Sequence, residues 1–292
     1  MRKAHWEKNI FELIRRTSVD LPTDVENAIK RARRREKKGS RAHDALNAML
    51  VRAKAARDND QPLCEQAGTL AFYFSVPVGC DTNALVARTR AAVSRATRAG
   101  YLGENTVDSV TGALYANNIA HGAPVIHFQQ GARKTFDVRL VMTGAGAENM
   151  SRQFALPSAA LKAERNLDGV RRCILDSVEQ ARNGCSPVIL GVSIGGDRSA
   201  GFAHARQQFL HKVGHRSRLK VLSRLEERVM RESRKPAAAA RSGGKSCLLG
   251  INIGSLSRLP GCFFVSVACM DWAFRRRGAL MGPEGGVHRW LY

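Results

Sequence analysis

The stretch from residue 166 to residue 194 constrains the fold most. In NLDGVRRCILDSVEQARNG, Val170, Cys173, Ile174, Val178 and Ala181 recur at helical spacing, with Asp168 placed to cap the helix and Asn183-Gly184 to stop it. SPVILGVSI follows directly, an apolar run too short for a helix and read as a buried strand. Two glycines then open GGDRSAGFAHARQQFL as a further helix. With these elements, the class expected is α/β (α+β), with N-terminal helices followed by a mixed sheet with flanking helices.

The rest of the chain agrees with that class. Residues 6 to 55 look helical, with Ile10, Phe11, Leu13 and Ile14 on one apolar face and Leu46, Met49 and Leu50 on another. TLAFYFSVPVG (69–79) reads as a strand, and NALVARTRAAVSRATRAG as a helix carrying Leu85, Val86 and Val93 and ending at Gly100. PVIHFQQ and FDVRLVM are strand-like. With 292 residues and 44% hydrophobic content the chain can bury a sizeable core. It is read as a single domain over 1–292, with a helical N-terminal part over 1–60 and a mobile loop near 231–246. That loop, RESRKPAAAARSGGKS, fails the phosphate-loop pattern because Ala239 stands five positions before Gly244.

Several function classes are set aside by composition. No run reaches the roughly 18 apolar residues of a membrane-spanning helix, and the first twenty residues lack a secretory signal, so the expected location is the cytoplasm. Seven cysteines, at 64, 80, 173, 185, 247, 262 and 269, are odd in number and widely scattered, which reads as reduced thiols. Cys173 falls on the buried face of its helix, whereas Cys185 falls in a turn between a helix end and a strand start. Cys64 sits between a proline-led turn and a glycine in PLCEQAG, and Cys269 ends an apolar strand in VSVACMDWAFRRRG. The net charge of +22 is densest in KRARRREKKGSR (30–41). Without interleaved aromatics that cluster reads as a solvated helix face rather than a nucleic-acid patch. The three arginines after Cys269 read as a solvated basic run, and the glycines of VMTGAGAENMS either bring backbone amides to an anion or form a plain turn.

Taken together these stretches resemble the alpha subunit of the class I, iron-sulfur fumarate hydratases and L(+)-tartrate dehydratases. PLCEQAGTLAFYF is similar to the family's P-x-C-Q-D-T-G stretch, YLGENTVDSVTG to Y-L-R-P-x-x-V-D-P-L-T, and GAPVIHF to N-T-P-V-I-H. TGAGAENMS resembles G-x-G-S-E-N-M-S, the most specific of the set, and NGCSPVILGVSIGG resembles G-x-x-C-P-P-x-x-V-G-V-G-I-G-G. GGKSCLLGINI is similar to G-G-x-T-x-A-L-G-V, and VACMDWAFRR to the family's Cys-containing strand end. The resemblance selects Cys64, Cys185 and Cys269 as ligands of a 4Fe-4S cluster, held on loops at strand ends. It also implies Glu65, Gln66, Gly144 and Gly146 at substrate-binding positions.

The activity implied is reversible hydration of a C4 dicarboxylate, with fumarate and malate as the pair and L-tartrate as the alternative substrate. The family's proton-abstracting base belongs to its beta half, so no catalytic residue is assigned here. Because the chain closes with the short tail GALMGPEGGVHRWLY, a separate beta subunit and a hetero-oligomer are expected. Some family positions differ. Gln-Asp-Thr after the first cysteine reads Glu65, Gln66 and Ala67, and a substrate-binding arginine reads Gly103. Asn118-Ile119-Ala120 replaces an N-T-G. Two other readings stay open, a cluster-binding paralogue without turnover and a basic nucleic-acid-binding protein.

Overall fold

The computed structural model describes residues 3–182, 187–234 and 245–292. They form two compact units, one of Met1–Pro22, Val51–Gly144 and Ala273–Tyr292, the other of Thr23–Leu50 and Ala145–Trp272. The helical beginning is three helices, α1 (Lys3–Val19), α2 (Thr23–Arg35) and α3 (Arg41–Asp58). Breaks come at Pro22 and at Gly39, whose φ of +76° suits glycine.

In the first unit, β1 (Thr69–Pro77) pairs parallel with β4 (Val125–Gly131) and antiparallel with β5 (Phe136–Thr143). Beyond β5 lie β10 (Arg275–Met281) and β11 (Val287–Leu291), giving the order β11-β10-β5-β1-β4. The parallel pair needs a crossover, and α4 (Thr82–Arg98) supplies it. Asp81 caps α4 by accepting from the Ala84 N–H at 3.0 Å, and Leu85, Ala92, Val93 and Ala96 form its buried face. From α1, Trp6, Ile10, Leu13 and Ile14 join Phe72, Phe74, Val138 and Leu140 in the core of this unit. The strands β2 (Thr106–Val107) and β3 (Leu114–Tyr115) make a small separate hairpin.

The second unit carries a four-stranded sheet, ordered β6 (Arg152–Ala155), β9 (Phe264–Met270), β7 (Val188–Ile194) and β8 (Leu248–Ser255). As expected, β7 is buried throughout. Val188, Leu190, Val192 and Ile194 face a core shared with α6 (Leu167–Arg182) and α8 (Lys220–Glu232). The opposite face meets α7 (Arg198–Gln207), where a Cβ on Gly191 would lie 2.3 Å from the Ala205 carbonyl. Helices on both faces and mixed strand pairing establish the fold class read from the sequence.

Two local expectations are corrected. Asp168 does not cap α6. It pairs at 2.9 Å with both Arg171 and Arg172, which hold its carboxyl down at about 2, while Asn166 accepts from the Gly169 N–H at 2.9 Å. The three arginines at 275–277 belong to β10, and Arg275 and Arg276 are buried rather than solvated. The stop at Asn183-Gly184 lies outside the described residues. So do residues 235–244 of the expected loop, whose flanks are the end of α8 and the lead into β8. Among the described residues no helix is long and apolar enough to cross a membrane.

Candidate functional site

In the first unit the segment 61–68, which precedes β1, is irregular in backbone yet held on every side. The Leu63 N–H donates to the Ser18 carbonyl at 3.0 Å, and the side chains of Leu63 and Ala67 are buried. Gly68 has φ +73°, and a Cβ there would lie 2.2 Å from the Thr143 carbonyl beside Gly144. On the other flank, a Cβ at Gly103 would lie 2.1 Å from the Glu65 carbonyl. Any side chain at 103 collides with this backbone. The absence of a side chain at Gly103 is thus what allows the 61–68 segment to close against residue 103.

Arg275, 2% exposed, donates through Nη2 to the carbonyls of Gln66 and Ala67, each at 3.3 Å. A guanidinium reaching two adjacent carbonyls fixes the peptide between them, so the chain direction just after Cys64 is set from β10. What remains outward is Cys64, half-buried, with the exposed side chains of Glu65 and Gln66. Behind Gly103, Asn118 sits buried at φ +58°. Its side-chain carbonyl accepts from the N–H groups of Asn105 and Thr106 and from the Thr106 hydroxyl. Its amide donates to the Thr97 hydroxyl at 3.1 Å and the Gly103 carbonyl at 2.9 Å. One side chain thus ties residues 103–106 to α4.

In the second unit the glycine-rich segment is not open backbone. It folds as the short helix α5 (Ala145–Met150), with Gly146 inside it and Gly144 just before it in the chain. Ser151 ends that helix, donating to the Ala147 carbonyl at 3.0 Å and accepting from the Cys269 N–H at 2.9 Å. The strand end that carries Cys269 is therefore tied to the glycine-rich segment. Cys269 itself is 2% exposed, opposite Leu190 of β7. Glu148 pairs with Arg206 through one oxygen, while its other oxygen is buried with no partner among the described residues.

Cys185 lies outside the described residues. Cys173 is core, as expected, and burial pushes its thiol up to about 11, which keeps it a protonated hydrophobe. Among the described residues no three His, Cys, Asp or Glu side chains gather as a metal site. Cys64 and Cys269 are soft thiol donors, the type that iron–sulfur and zinc sites take. Sequence reasoning missed Arg275, Ser151 and Asn118, which act on backbone groups rather than on a ligand. Two of the three carried a signal, Ser151 as a polar residue closing the glycine-rich motif and Asn118 as the asparagine of the stretch that resembles the family's N-T-G.

The family profile described as Fumarate hydratase (Fumerase) matches residues 7–279. A "Putative fumarate hydratase class I" of Geobacillus stearothermophilus is 40% identical over 291 residues, which cover 98% of this chain and 57% of that protein. A "Putative L(+)-tartrate dehydratase subunit alpha" of Methanocaldococcus jannaschii is 26% identical over 91% of this chain and 94% of its own length. The L(+)-tartrate dehydratase subunit alpha of Escherichia coli K12 is 24% identical over 90% and 86% respectively. The chain thus spans a little over half of the first relative and most of the other two.

Proposed function

The chain belongs to the fumarate hydratase (Fumerase) family, and from that membership we propose that residues 1–292 are the cluster-bearing part of a hydro-lyase acting reversibly on a C4 dicarboxylate. Fumarate and malate are the proposed pair. In this reading Cys64, Cys185 and Cys269 hold a 4Fe-4S cluster, and Glu65, Gln66, Gly144 and Gly146 lie at the substrate. With three protein thiolates such a cluster supplies one iron with an open position, a Lewis acid toward a substrate hydroxyl.

The observation that carries the proposal is the held segment around Cys64. Arg275, Gly103 and Gly68 fix its backbone while the thiol stays partly accessible, which is what a ligand at a strand entrance requires. Ser151 does the corresponding work on the backbone of Cys269. Gln66 can donate its amide to a substrate carboxylate, whereas ionised Glu65 only accepts and suits a substrate hydroxyl. The base that removes the carbon-bound proton is assigned to a separate beta subunit, consistent with the alpha-subunit names of two relatives. A hetero-oligomer in the cytoplasm completes this reading.

A second reading, an L(+)-tartrate dehydratase alpha subunit, rests on the names of two relatives that are 26% and 24% identical to this chain. One experiment addresses both. Iron and acid-labile sulfide are measured after anaerobic reconstitution of the wild type and of Cys64→Ala, followed by turnover of fumarate and tartrate with a supplied beta subunit. About four irons per chain, lost in the variant, and hydration of fumarate support the first reading. Preference for tartrate selects the second, and a wild type without a cluster overturns both.

A further inference from the structure

In the second unit, α2, the end of α8 and the start of β8 enclose a cavity of about 240 Å³. Arg31 and Arg35, one turn apart on α2, meet Arg231 and Arg234 from the end of α8 and Arg216 from the loop before it. One exposed carboxylate lines the same space, Glu227, which lies 3.6 Å from Arg216. The nearby Glu226 is buried and already engaged, accepting from the N–H groups of Ser217 and Ile253. Two runs that are distant in sequence therefore place five guanidiniums around one concavity.

Several arginines elsewhere pair with carboxylates, as Arg15 and Arg16 do at Glu12, Arg139 at Asp137 and Arg152 at Asp176, and others such as Arg165 and Arg258 donate to main-chain carbonyls. Among the described residues Arg31, Arg35, Arg231 and Arg234 have no ion pair. Burial, and after it the facing Arg35, holds the Arg234 guanidinium below its usual range, so the cluster carries uncompensated like charge. The floor between the arginines is aliphatic, from Ala28, Ala32 and Leu248. The basic run at 30–41 consequently does more than solvate a helix face.

We propose that this cavity binds a compact oligophosphate anion, with two or more linked phosphate groups held by Arg31, Arg35, Arg231 and Arg234. Guanidinium forks match phosphate oxygens in pairs, and a linked di- or triphosphate supplies the negative charge that four uncompensated arginines call for. A single phosphate or a dicarboxylate supplies less. The concavity is too small for a duplex, and His215, already stacked on His211, is the single ring among its lining residues, so a run of bases finds no stacking platform here.

The test is calorimetric titration of the full chain at fixed ionic strength with inorganic pyrophosphate, tripolyphosphate, inorganic phosphate, fumarate and a single-stranded RNA 20-mer. Pyrophosphate is expected to bind at least about tenfold tighter than phosphate or fumarate. Arg35→Gln with Arg234→Gln should weaken it about tenfold or more. Arg31→Gln, at an exposed helix position that folding tolerates, should weaken it by at least about threefold, and Arg98→Gln, on the other unit, should leave it within about twofold. Circular dichroism confirms that each variant is folded. Equal affinity for phosphate and pyrophosphate, equal loss in Arg98→Gln, or no loss in Arg31→Gln overturns the proposal. So does an RNA that binds more tightly than pyrophosphate and depends instead on Lys37 and Lys38.

Discussion

At position 103 the atom nearest to a prospective Cβ is a main-chain oxygen, 2.1 Å away, with no rotamer to yield. Gly103→Ala should therefore destabilise the first unit by about 1–3 kcal/mol, and Gly103→Arg should do no better. Denaturant midpoints decide it, and an arginine variant as stable as the wild type would sink the steric account. Arg275 makes a related case. Replacing it with methionine removes the donor to two carbonyls beside buried Ala67, at about 1–3 kcal/mol for each group left unpaired. Faster amide exchange over residues 64–68 is the expected signature, with exchange in α4 unchanged. Unaltered exchange in 64–68 would mean that the neighbouring glycine contacts alone hold the segment.

At the scale of elements, the contact of β7 with α7 is polar at one point. His204 Nδ1 lies 2.8 Å from the Ser193 hydroxyl, Gln208 approaches Nε2 at 3.0 Å, and burial holds the imidazole below its usual pKa. Unfolded, the ring takes a proton near 6.5. Between the folded value and 6.5 the unfolded chain therefore binds more protons, so this contribution is full above 6.5 and is lost as pH falls. Glu226, raised by burial, gives the opposite slope, losing its contribution as pH rises through its folded value. Comparing variants isolates the histidine. His204→Gln should remove part of the fall in stability from about pH 7 to about pH 5, and identical slopes in both proteins would exclude the assignment. Ser151 links α5 to β9 through the Cys269 N–H, and Ser151→Ala should cost about 1–3 kcal/mol and loosen the end of β9, read as a lower denaturant midpoint.

For the molecule as a whole, two of the described cysteines, Cys173 and Cys64, differ in environment. Cys173 is enclosed by the second unit's core with its thiol pushed up to about 11, whereas Cys64 lies on a held segment at partial exposure. Opposite outcomes are expected. Cys173→Ala should lower the free energy of unfolding by about 1 kcal/mol or more, while iron content after reconstitution stays at the wild-type level. Cys64→Ala should abolish iron loading with little change in stability. Iron loss in the first variant, or full loading in the second, would reverse the roles assigned to these residues.

The sequence by itself determined the strongly periodic elements and the sides they bury. Val170, Cys173, Ile174 and Val178 are spaced for one helix face and lie in a core, and the unbroken apolar run of β7 is covered on both faces. These features depend on near neighbours and on the period of each element. The cap of α6 was less legible, because Asn166 and Asp168 can both cap and only the pull of Arg171 and Arg172 removes the latter. Other features needed the tertiary structure. Arg276 is buried against the rings of Phe274 and Tyr292, and Arg275 against carbonyls some 208 residues away in sequence. The five arginines around the cavity come from helices and loops spread between residues 31 and 234. A run of arginines reads as solvated because burying a charge is costly, and only partners brought together by long-range packing offset that cost.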